Sequence, residues 1–158
     1  GRIAGAGRTV VGFIQLGEVV DGRKVGFRVR DLNSGREATI ARLVERGEGD
    51  FGTRFSFDRA GFELARAALA PAAAGAVVVV DELGPVELRG EGHMPAVRRA
   101  LATPGLAGVV LVVRRSLVPT LLATLAATDA VVVDVEEHGA RAAETIFKAL
   151  GLDRQPDV

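Results

Sequence analysis

Val77-Val78-Val79-Val80-Asp81-Glu82-Leu83-Gly84-Pro85-Val86-Glu87-Leu88 is an aliphatic run that stops in two adjacent carboxylates, with a third soon after. Four consecutive valines fit a strand covered on both faces, as in a parallel sheet inside an α/β domain. Each buried Val favours folding by roughly 1.5–3 kcal/mol, so such a strand is firmly anchored. Carboxylates at its end would lie where open α/β sheets bind ligands, beyond the carboxyl ends of the strands. The alternative is a strand followed by an acidic, solvated turn.

The rest of the chain bounds these readings. At 158 residues it fits one domain with a substantial core. Its 20 basic and 20 acidic residues balance, which argues against a generally electropositive nucleic-acid binder. Without cysteine there are no disulfides or thiolate metal sites, and two histidines make a His-rich cage unexpected. No apolar run reaches the roughly 18–20 residues that span a bilayer. Gly1 to Arg8 lacks the apolar core of a signal peptide. These features predict a soluble, cytoplasmic domain that does not engage membranes.

Outward from the valine run, the two halves differ. Val10 to Val20 is rich in β-branched residues, and Asp21-Gly22 supplies a two-residue hairpin turn. Arg23 to Leu32 returns, Asn33-Ser34-Gly35 turns again, and Glu37 to Leu43 forms a third strand. Glu45 to Gly52 reads as an exposed loop, and Arg54 to Phe57 as a short strand. Asp58 caps a helix whose Phe62, Ala65, Ala68 and Leu69 share a face.

Beyond the valine run, strands and helices alternate. Met94, Val97 and Leu101 recur at helical spacing, and Leu106 to Val113 is a nearly uninterrupted apolar strand. Ser116 caps a helix bearing Leu117, Leu121, Leu122 and Leu125. Ala130 to Val135 reads as a further strand, and Ala140 to Leu150 as a last helix. This alternation predicts a parallel sheet flanked by helices. One domain is expected over residues 1–152, with 153–158 a flexible tail.

Several residues bear on chemistry. An aliphatic strand ending in Asp-Glu has the form of a Walker B segment, in which Asp holds Mg²⁺ and Glu orients or activates water. Glu87 is close enough across the Gly84-Pro85 turn to face the same cleft; pairing with Arg89 is the alternative. Arg114-Arg115 follows a strand directly and should emerge at the same mouth, able to bind phosphate or stabilise transferring phosphoryl charge. A solvated strand end paired to carboxylates is the alternative there. His93 and His138 read as exposed loop histidines. Gly7-Arg8-Thr9 imitates the end of a phosphate-binding loop, but Arg2 stands where its first Gly should be and a strand follows. The simpler reading is a helix end, a Gly turn and the next strand.

Together these residues resemble the small P-loop nucleoside triphosphatases of the cancer-related type. The resemblance rests on Gly12-Phe13 leading into the hairpin, Lys24-Val25-Gly26-Phe27 on its return, and Asp81-Glu82-Leu83-Gly84-Pro85-Val86-Glu87-Leu88. It implies a P-loop NTPase-like three-layer α/β sandwich, a mostly parallel sheet with an antiparallel β-hairpin near the N-terminus.

The resemblance also implies a Mg²⁺-dependent hydrolase converting a nucleoside triphosphate such as ATP to the diphosphate and phosphate. Asp81 would be the metal residue; Glu82, Glu87 and Arg114 are catalytic candidates, and Arg115 a nucleotide-binding candidate. The family's strand, Gly-Lys-Thr loop and helix are not recognisable here, and Glu137-His138-Gly139-Ala140 stands where the family often has Asn-Arg. A truncated N-terminus is the expected reason for the first departure. This chain is therefore expected to be inactive or impaired, a homo-oligomer completing the sheet is a possible assembly, and a non-catalytic nucleotide-sensing or partner-binding module is the alternative function.

Overall fold

The computed structural model describes residues 2–5, 7–44 and 47–152. The expected tail at 153–158 and the start of the 45–52 loop lie outside the described residues. Among the described residues six strands form one sheet: β1 (Val10–Val20), β2 (Arg23–Asp31), β3 (Glu37–Leu43), β4 (Phe55–Phe57), β5 (Val77–Leu83) and β6 (Gly108–Val113). The helices are α1 (Arg2–Gly5), α2 (Arg59–Leu69), α3 (Pro85–Leu88), α4 (Met94–Leu101), α5 (Val118–Leu125), α6 (Val135–His138) and α7 (Ala142–Ala149).

The strand order is β4-β3-β2-β1-β5-β6. Contacts β1–β5 and β5–β6 are parallel, while β1–β2, β2–β3 and β3–β4 are antiparallel. The sheet is therefore mixed, which corrects the expectation of a mostly parallel one. The cause is local: short turns join the first three strands, and a short turn can only reverse direction. Asp21 and Gly22 both take positive φ (48° and 74°), the backbone that a two-residue hairpin demands.

β5 lies between two parallel neighbours, and Val77, Val78, Val80 and Leu83 are buried. Gly12 pairs with Val79 at φ 109°, and a Cβ there would overlap the Val79 carbonyl. This close approach lets the next residue, Phe13, sit fully buried in the core. Helix α2 crosses β1, β2 and β3 and touches α4. Its N-cap is Asp58, whose Oδ1 accepts the Ala60 N–H at 2.8 Å.

Two further expectations are corrected. Ser116 caps nothing by its side chain; it lies in a 3₁₀ turn, and α5 begins after Leu117 with Pro119 in its first turn. Ala130 to Val135 is not a strand. Among the described residues β6 ends the sheet, residues 130–134 pair with no strand, and Val135 opens α6. Val131 and Val132 are 65% and 55% exposed, so apolar sequence alone did not secure a sheet position.

Candidate active site

Pairing of β5 with β1 ends at Phe13–Val80, so Asp81 and Glu82 emerge just beyond it. Both are half-buried, and the peptide joining them is cis. Asp81 Oδ2 accepts the backbone N–H of Gln15 at 3.3 Å, and the Gln15 side-chain amide donates to the Glu82 carbonyl at 3.4 Å. Burial raises the Asp81 carboxyl above its ordinary 3.8 and the Glu82 charge adds to this, while the Gln15 N–H opposes both. Gln15 was not anticipated. Its signal was a polar amide within the apolar run Gly12-Phe13-Ile14-Gln15-Leu16.

The candidate residues separate in space. Arg114 reaches Glu82, its Nε donating to Oε1 at 3.0 Å. Arg115 turns elsewhere: its guanidinium meets Asp134 at 3.2 Å and Glu137 at 2.6 Å. Glu87 is buried, and its Oε2 accepts the Gly84 N–H at 3.0 Å, holding the first turn of α3. Arg89 pairs with Glu91 and not with Glu87.

His93 overturns the reading of an exposed loop histidine. It is 1% exposed, with its ring edge-on to Phe13 at 4.9 Å. Gly90 and Gly92 take positive φ, which lets the loop before α4 fold inward and bring His93 Nδ1 to 3.3 Å from Glu87 Oε1. His138 lies nearer the surface, its Nδ1 2.9 Å from the Asp134 carbonyl oxygen.

The donor set is sparse. Among the described residues no cluster of three or more His, Cys, Asp or Glu could hold an ion by itself. Asp81 presents one carboxylate that is not locked in an ion pair. Mg²⁺ is commonly held this way, by one or two carboxylates with water and substrate phosphates completing an octahedron.

The family described as NTPase matches residues 2–146, nearly the whole sequence. The chain belongs to the NTPase family. Among curated proteins, it is 39% identical over 82 residues to the nucleoside-triphosphatase THEP1 of Thermofilum pendens, covering 51% of this chain and 44% of that one. It is 36% identical over 94 residues to THEP1 of Methanopyrus kandleri, covering 57% and 50%. The matched stretch thus spans about half the length of these relatives.

Two solved folds are similar to this NTPase-family chain, each with a TM-score of 0.70. One is the solution structure of a human cancer-related nucleoside triphosphatase, at 24% identity with 97% of this chain and 87% of the other covered. The second is the crystal structure of THEP1 from Aquifex aeolicus, at 21% identity with 97% and 89% covered. The P-loop NTPase-like fold is thereby shown, with the mixed sheet described above. Among the described residues no helix is long and apolar enough to cross a membrane.

Proposed function

We propose that Asp81 and Glu82 form the metal- and water-handling part of a nucleoside triphosphatase site. The observation that carries this reading is their adjacency at the carboxyl end of a buried parallel strand, half-buried and braced by Gln15. Asp81 would hold Mg²⁺, directly or through water. The ion, when bound, supplies charge neutralisation for the β- and γ-phosphates. Glu82 orients a water molecule and takes its proton as the water oxygen bonds to the γ-phosphorus. The bond from that phosphorus to the β–γ bridging oxygen breaks, and the nucleoside diphosphate leaves with the electron pair. Arg114 steadies Glu82 through the 3.0 Å contact and is placed to offset developing phosphoryl charge. Arg115, held by Asp134 and Glu137, is the candidate for contact with the nucleotide at the adjoining surface.

The test is turnover of ATP and GTP with Mg²⁺ by the full-length protein and its Glu82→Gln variant. Loss of a positioned base is expected to lower kcat by about 10²- to 10⁴-fold. Unchanged turnover in Glu82→Gln would sink this assignment. Calorimetry on the same samples separates the alternative function: nucleotide binding without Mg²⁺-dependent turnover marks a sensing or partner-binding module.

A further inference from the structure

Strands β5 and β6 run in step as far as the site and then lose it. Val77 to Asp81 pair one for one with Gly108 to Val112, but the next pair is Leu83 with Val113. Glu82 is therefore an extra residue on β5, a β-bulge. On the other side β1 gives it no partner, because that pairing ends at Phe13–Val80.

The bulge decides where the Glu82 carboxylate goes. Side chains alternate between the two faces of a strand, so in a regular strand residue 82 would follow Val78 and Val80 onto one face. Val78 and Val80 do lie in the hydrophobic core, but the next place there is taken by Leu83, which is fully buried. One inserted residue has exchanged Glu82 for Leu83. A carboxylate on the core face would lose its water among aliphatic side chains, which is costly. Asp81 and Glu82 are instead both half-buried, side by side at the end of the strand.

A single residue of β1 reaches the bulge. Gln15 lies just beyond Phe13, and its backbone N–H donates to Asp81 Oδ2 at 3.3 Å. Its side-chain amide donates to the carbonyl of the bulged Glu82 at 3.4 Å. The other end of Glu82 meets Arg114, whose Nε donates to Oε1 at 3.0 Å. The two Gln15 contacts differ in kind. The one to Asp81 comes from the main chain and survives a change of side chain, whereas the one to Glu82 does not.

We infer that the Gln15 side chain is a positioning residue of this site: it pins the bulged Glu82 backbone so that the carboxylate faces the attacking water and not the core. The role rests on the reading of Glu82 as the residue that handles water. Gln15 acts in it through Glu82 alone.

The test is a double-mutant cycle in the full-length protein, combining Gln15→Met with Glu82→Gln and read as kcat and KM for ATP with Mg²⁺. Gln15→Met keeps the length of the side chain and removes its N–H donor; Gln15→Leu is the second variant should the first fail to fold. Gln15→Met is expected to lower kcat about 10- to 100-fold, as a misplaced reacting group does. KM is expected to stay unchanged, because Asp81 keeps its main-chain contact. With Glu82→Gln already present, adding Gln15→Met is expected to change kcat little, since no positioned base is left to misplace. NMR gives a readout independent of turnover: the Glu82 carbonyl carbon is expected to shift in Gln15→Met while those of Val78 and Val80 hold.

Wild-type kcat in a folded Gln15 variant overturns the inference. So does an equal loss of kcat with and without Glu82→Gln, which marks an effect that does not pass through Glu82. An unmoved Glu82 carbonyl overturns the hold itself. Failure of the underlying reading is told apart by the Glu82→Gln single variant: if that turns over like the wild type, the water-handling role falls and the positioning role with it.

Discussion

Asp81 shows at the scale of one residue what a half-buried carboxylate does to stability. Burial and the charge of Glu82 raise its carboxyl above 3.8, against the pull of the Gln15 N–H. The unfolded chain releases this proton at a lower pH than the folded one. Stability is therefore fully retained below 3.8 and falls as pH rises through the folded value, leaving an ionised, partly desolvated carboxylate at neutral pH. Asp81→Asn removes that cost. It is expected to raise Tm at pH 7, with the difference closing as pH approaches 3.8, while Mg²⁺-dependent nucleotide binding is lost. Thermal melts across that range and calorimetry check both halves. A lower Tm at pH 7 would mean that the Gln15 contact outweighs burial.

At the scale of elements, α2 is seated by a glycine. A Cβ at Gly61 would collide with the Ile40 backbone and the Thr39 carbonyl of β3. The helix can approach β3 closely because that position carries no side chain, and this brings Ala65 and Ala68 into the core. Gly61→Ala should lift α2 from the sheet and cost about 1–3 kcal/mol, the usual range for overpacking. Urea unfolding measures this directly. The helix propensity gained by Ala, about 1 kcal/mol, is too small to offset the upper part of that range. The site should feel the change weakly, since Asp81 and Glu82 are carried by β5.

For the whole molecule the informative feature is the outer edge of β6. Val109 to Val113 is aliphatic on both faces, yet none of the strand is buried and Val112 is 43% exposed. Beside the sheet, Val131, Val132 and Val135 are exposed as well. An open aliphatic edge is a template for another strand, and a second copy of this chain is one partner that could complete the sheet. Val112→Lys places a charge on that edge and is expected to reduce self-association with little change in Tm. Light scattering at increasing concentration checks this. A wild-type chain that stays monomeric at all concentrations removes the second copy as the partner.

Much of this was legible in the sequence because it is decided locally. Asp21-Gly22 dictates its own turn, Asp58 caps its own helix, and four valines before Asp81 can hardly be anything but a buried strand. The acidic strand end with its neighbouring motifs pointed to the NTPase family before any contact was known. Other features depend on what lies across the sheet. Ala130 to Val133 has strand composition, but a strand exists only by pairing and β6 ends the order before reaching it. His93 looked like a loop residue until two positive-φ glycines turned it into the core beside Glu87. Gln15 became part of the site only because β1 lies parallel to β5 with Phe13 opposite Val80. Residue types and spacing thus determined most of the elements and the pair of carboxylates at the end of β5. Long-range pairing and burial decided which neighbours support that pair, because they depend on partners far away in the chain.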